Sequence, residues 1–163
     1  MTANFYPRAQ KRVLDMLLRS PRSIERAFVL EHGEFWKTPP LPTPERFKYW
    51  GEKRHCYMNA HKVASADRSL TYVEGYAYVY GCVIVAHAWC VNTEGHVVEV
   101  TPGWKNGGGY YGVPVKVEFL EETGLCADKS FDYGKRFTCD AKVVRLYRSI
   151  DPKVWRPTSG SSP

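Results

Sequence analysis

From Leu70 to Val100 the chain carries three runs rich in β-branched and aromatic residues, Leu70–Tyr80, Cys82–Asn92 and Val97–Val100. They are separated by Gly81 and by the turn-forming Asn92-Thr93-Glu94-Gly95. Connections this short force neighbouring strands to run antiparallel, because a parallel pair needs a crossover of roughly a dozen residues or more. An antiparallel meander is therefore expected. Directly before it, Cys56–Ala66 lacks proline and glycine and spaces Met58, Ala60, Val63 and Ala64 for one buried helical face, ending at Asp67-Arg68-Ser69.

The flanks supply helices. Pro7–Ser20 repeats Val13, Met16 and Leu17 at helical steps, with Lys11, Arg12, Asp15 and Arg19 outward. Ser20 is the expected cap of a second helix with Pro21 at its first position, Ile24, Ala27, Phe28 and Leu30 as buried stripe and Gly33 as stop. Thr38–Pro44 is dense in proline and reads as an ordered but irregular connection, followed by a short helical segment carrying Phe47 and Trp50. Beyond the meander, Pro102–Gly109 is loop by composition, Tyr110–Val115 re-enters the fold, and Val117–Thr123 suits strand or short helix equally. Ala141–Tyr147 alternates charged and apolar residues as a last strand would. The expected class is α+β: N-terminal helices packed on an antiparallel β-sheet. At 163 residues one domain is expected over 1–155, with a helical part at 7–50, a core at 51–150 and a disordered tail at 156–163.

Several classes are set aside by composition. No apolar run reaches the ~18 residues of a membrane span, and charges interrupt the N-terminal stretch that a signal peptide would need, so a cytoplasmic protein with no membrane association is expected. Five cysteines, odd in number and without a C-x-x-C pair, match neither a disulfide nor a zinc framework; reduced thiols and no metal or cofactor are expected. The net charge of +6 permits nucleic-acid binding, but the basic residues are scattered and no reading motif accompanies them. The glycine-rich loop at 106–109 lacks the phosphate-loop pattern and is a candidate flap over the cleft.

Within this frame three residues form a candidate catalytic set. Cys56 opens the helix, where unsatisfied backbone N–H groups favour a thiolate and can stabilise an oxyanion. His87 lies on the second strand of the meander, held rigidly between the small Ala86 and Ala88. Positions 87 and 99 are centred on residue 93 in the second turn, so Glu99 is expected opposite His87, where a carboxylate sets the imidazole tautomer and supports the imidazolium. Asn59, Glu74, Trp89 and Trp104 are candidate supporting or substrate-binding residues: Asn59 in the helix's first turn, Glu74 as a charge needing a partner in an apolar strand, the tryptophans as cleft walls. His55 is a further candidate for tuning the thiol.

The order of cysteine on a helix, His87-Ala88-Trp89 on a strand, a short turn and then Glu99-Val100-Thr101 resembles the transglutaminase-like superfamily, within the fold shared with papain-like cysteine proteases. Cys56-Tyr57-Met58-Asn59-Ala60 and Tyr72-Val73-Glu74-Gly75-Tyr76 are similar to small bacterial and phage proteins of this type. The family's usual aspartate is replaced by Glu99. The resemblance implies a papain-like or transglutaminase-like core with Cys56 as nucleophile, His87 as general base and Glu99 as its orienting acid. The expected function is a cysteine hydrolase or acyltransferase (peptidase, amidase, deamidase or transglutaminase type) acting on a peptide or protein through a thioester. The alternative is a phage or bacterial protein-binding module on the same fold, without catalysis.

Overall fold

In a computed structural model, the described residues are 6–19, 23–79, 83–104, 108–125 and 136–158. Helices α1 (Tyr6–Arg19) and α2 (Ile24–His32) lead into two edge strands, β1 (Glu34–Phe35) and β2 (Lys37–Leu41). A 3-10 turn at Glu45–Phe47 precedes α3 (Cys56–Ala66). Then follow β3 (Thr71–Val79), β4 (Val83–Val91), β5 (His96–Val98) and β6 (Gly109–Val115), and finally α4 (Val117–Glu122), α5 (Ala141–Arg148) and α6 (Pro152–Trp155). Among the described residues no helix is long and apolar enough to cross a membrane.

The meander β3-β4-β5 forms as expected, but the sheet is mixed rather than antiparallel. Its order is β1-β6-β3-β4-β5-β2, and β2 runs parallel to β5. The proline-dense segment expected to be irregular is therefore a strand. Its prolines lack N–H donors, which an edge position tolerates; Lys37 N donates to Gly95 O, and Leu41 O accepts from Glu99 N. Because β1 and β2 are separated only by Trp36 yet occupy opposite edges, the sheet rolls until it nearly closes into a barrel.

Two cores result. Val73, Ala77, Trp89, Val91, Val97 and Tyr110 fill the concave interior, with Trp36 and Trp104 packed against them. The larger core joins the convex face to the helices through residues such as Val13, Phe28, Ala60, Val63, Tyr72 and Val144. Cys90 points to this side, its thiol donating to Ala60 O.

Four local expectations are corrected. The second helix is capped by Ser23, whose hydroxyl accepts from Arg26 N, while residues 20–22 lie outside the described ones. Ala27 is exposed, and Phe28 and Val29 supply the buried side. Ala141–Arg148 is a helix, not a strand: Val143, Val144 and Tyr147 are buried, and Asp140 caps it by accepting from Lys142 N. Val117–Glu122, undecided from the sequence, is also helical. Arg156, the first residue of the expected tail, is held by His32 O and Glu34, whereas 159–163 fall outside the described residues.

The central strands approach unusually closely at Gly75, which pairs with both His87 and Gly112. A Cβ on Gly75 would lie 2.3 Å from Tyr111 O and 2.4 Å from Gly112 Cα. Since both obstacles are backbone, Gly75→Ala is expected to cost about 1–3 kcal/mol by forcing β3 and β6 apart. A denaturant midpoint equal to wild type would count against this packing.

Candidate active site

Cys56 is the first residue of α3 and is partly exposed. The loop in front of it is fixed by Asn59, whose Oδ1 accepts from Glu52 N at 2.9 Å and whose Nδ2 donates to Glu52 O at 2.7 Å. The same amide nitrogen donates to Thr101 Oγ1 at 3.4 Å. Asn59, buried to 1% exposure, thus ties the loop before Cys56 to the turn that follows Glu99. Gly51 allows that approach, because a Cβ there would meet Val100 O at 2.6 Å.

His87 is fully buried on β4, and its Nε2 lies 3.0 Å from Glu99 Oε2. The hairpin register differs from expectation. Cys90 pairs with Val98 and Val91 with Val97, so Glu99 continues opposite Trp89 and not opposite His87. Asn92 makes the difference: its Oδ1 accepts from both Glu94 N and His96 N, centring the turn one residue later. Glu99 therefore reaches His87 diagonally, and the additional methylene of glutamate over aspartate supplies reach along that diagonal.

The carboxylate is held on every side. Its Oε1 accepts from Val100 N at 3.1 Å and Thr101 N at 3.0 Å; Oε2 accepts from His87 and from the Tyr110 hydroxyl at 3.1 Å. Its backbone is anchored by Leu41 O and by the Thr43 hydroxyl, which donates to Glu99 O at 2.6 Å. Burial pushes the Tyr110 phenol up, and the adjacent Glu99 charge adds to it, so Tyr110 is a neutral donor.

Trp104 lies flat on the imidazole, with ring centroids 3.6 Å apart and planes 4° from parallel. Its indole N–H donates to Tyr110 OH at 3.1 Å, closing a circuit through Glu99 back to His87. Trp89 stacks more distantly on the ring, at 5.9 Å, and lies over Gly112. Trp104 thus packs one face of the imidazole in direct contact. Burial draws the imidazole pKa down, but Cys56 and then Glu99 outweigh it and raise the value to about 9. With Nε2 bonded to the carboxylate, Nδ1 is buried and lacks a partner of good hydrogen-bond geometry among the described residues.

Cys56 opens onto a cleft of about 590 Å³ whose walls include Val85, Ala86, Pro102 and Trp104. Cys139, an exposed free cysteine, lines the same cleft. Of the residues singled out from the sequence, Cys56 and Trp104 line this cleft, and His87 and Glu99 lie behind Trp104. Trp89, expected as a cleft wall, is instead fully buried in the interior core, because its ring packs over Gly112 across the rolled sheet. Glu74 does not contact this set. It is buried on the convex face, accepting from Tyr72 OH and from the Thr138 amide and hydroxyl. Burial raises its carboxyl against the pull of Arg136. Its link to the cleft is indirect, through Thr138 Oγ1 and the Tyr57 hydroxyl 2.9 Å away. His55 Nδ1 instead lies 3.5 Å from Glu52 Oε2. Of the candidate flap, residues 106 and 107 are outside the described ones, and Gly109 begins β6 packed on α1. Tyr110 and Thr101 were not singled out from the sequence: Tyr110 meets Glu99 only because the sheet curls back on itself.

Among the described residues no group of three or more His, Cys, Asp or Glu side chains is placed to hold a metal ion. Comparison of the chain with protein-family models, curated proteins and solved structures gives no match.

Proposed function

We propose that the chain is a cysteine-dependent acyl-transfer enzyme with a transglutaminase-like or papain-like core, in which Cys56 is the nucleophile, His87 the general base and Glu99 its orienting acid. The observation that carries this reading is the buried His87, bonded at Nε2 to a four-times-bonded carboxylate and raised to about 9 by Cys56 and Glu99 together. A histidine buried for packing alone would be drawn down instead.

The chemistry follows from the arrangement. His87 Nδ1 takes the Cys56 proton, and Glu99 stabilises the imidazolium through Nε2. The thiolate attacks an amide or ester carbonyl, and the free N–H groups of the first turn of α3 face the oxyanion that develops. The imidazolium then returns its proton to the departing amine, leaving a thioester on Cys56. Water completes hydrolysis; an amine completes transfer. Peptide or protein amides are the expected acyl donors, because the cleft is open and partly apolar. A binding role without catalysis is the second reading, favoured by the exposed Tyr49 and Trp50 near the site's loop, at 87% and 47% exposure.

The two readings separate with p-nitrophenyl acetate. The enzyme reading predicts that intact protein gains one acetyl group on Cys56, cleared on standing in water, and that Cys56→Ala gains none. Acetylation spread over lysines with none on Cys56 would favour the binding reading.

A further inference from the structure

The mouth of the cleft carries two cations that the proposed reaction does not use. Lys53 and Arg54 both line it and are exposed. Neither has an ion-pair partner among the described residues; the neighbouring Glu52 carboxylate lies 3.5 Å from His55 Nδ1. Arg54 is held at φ 68°, the one non-glycine residue among the described ones in left-handed conformation. Such a backbone is uncommon for a side chain this long, and it sits two residues before the nucleophile. The Lys53 stem runs beside Gly103, with Cε 3.9 Å from where a Cβ would stand, on the turn that carries Trp104. The lining of the same cleft also includes the apolar Val85, Ala86 and Pro102.

We infer that Lys53 and Arg54 form an anion-recognition pair, and that the acyl donor is an acidic peptide that places an Asp or Glu carboxylate beside the bond Cys56 attacks. This rests on the proposed role of Cys56. A cation pair at the mouth of a partly apolar cleft concentrates anionic ligands and disfavours cationic ones, most strongly at low salt. The apolar wall receives the neighbouring side chain, so the pair selects charge while the wall selects shape.

Iodoacetate and iodoacetamide test this, since they differ only in carboxylate against amide and attack the same thiolate. The ratio of their rates at a given cysteine cancels the fraction of thiolate. At Cys56 in low salt, the iodoacetate-to-iodoacetamide ratio is expected to exceed that of a neutral small thiol by about tenfold, as two nearby unit charges in water imply. It should fall about fivefold in Lys53→Gln/Arg54→Gln, fall further on reversal to glutamate, and collapse at roughly half-molar salt. The single Lys53→Gln variant, at an ordinary backbone position, keeps the test open if the double variant folds poorly, and there a drop of about twofold is expected. A ratio unchanged by these substitutions, with Cys56 still rapidly alkylated by iodoacetamide, overturns the acidic-donor inference alone. A Cys56 inert to both reagents overturns the proposed function, and this inference with it.

Discussion

Replacing Glu99 by glutamine is expected to lower acylation of Cys56 by about a thousandfold, with the fold retained. The amide cannot satisfy its four neighbours. If its oxygen takes the place of Oε1, it still accepts from Val100 N and Thr101 N, but its NH2 then faces His87 Nε2. A donor there forces the imidazole into the tautomer with its proton on Nδ1, the nitrogen that accepts the Cys56 proton in the proposed reaction. If the amide turns the other way, two backbone N–H groups meet a donor, at a cost of ~1–3 kcal/mol each. Either arrangement also removes the charge that stabilises the imidazolium. Loss of the orienting acid through a wrong tautomer commonly costs rates on the order of ten-thousandfold; the surviving Trp104 stack argues for somewhat less here. Acetyl transfer from p-nitrophenyl acetate measures it, with circular dichroism to check the fold. A variant within about threefold of wild type would remove Glu99 from the catalytic set.

The second large effect is on stability against pH. His87 is raised from 6.5 to about 9 in the folded protein. A raised folded-state pKa stabilises the protonated native form, so the contribution is fully present below pH 6.5 and is lost as pH climbs through about 9. Because the Cys56 thiol titrates together with the imidazole, the share supplied by Glu99 is read in a Cys56→Ala background. There the protein should lose more stability than Cys56→Ala/His87→Gln between pH 6 and pH 9.5, read from urea midpoints at each pH. Parallel pH profiles for the two proteins would mean that Glu99 does not hold the imidazolium.

Much of this site was legible in the sequence. The proline-free stretch beginning at Cys56 is α3 to the residue, and the turn at 92–95 marks the hairpin that brings Glu99 to His87. What the residue pattern missed depended on information that only the folded chain holds. The hairpin register turned on one side chain, Asn92, bonding two amides beyond it. Ala141–Arg148 looked like a strand because Val143 alternates with charges, yet Val143, Val144 and Tyr147 also fit a helical face, and the cap at Asp140 decides for the helix. The prolines of 38–44 suggested irregular chain because edge positions cannot be recognised without a sheet. Tyr110 lies on β6 and Glu99 just after β5, strands that meet only across the rolled interior, so no spacing between them announces the bond. Glu74 misled in the opposite sense: a buried charge needs partners, but Thr138 and Tyr72 provide them away from the cleft.

The central claim is that Cys56 is an activated nucleophile, and iodoacetamide at pH 6 tests it most directly. Cys139 is the internal control, because it is exposed and lines the same cleft, whereas Cys56 is partly buried. Accessibility alone makes Cys139 the faster thiol. Activation by a His87 that stays protonated to about pH 9 reverses that order. The account predicts that mass analysis of native protein finds Cys56 alkylated at least about tenfold faster than Cys139, with the advantage gone in His87→Gln. Equal rates, or a faster Cys139, would contradict it.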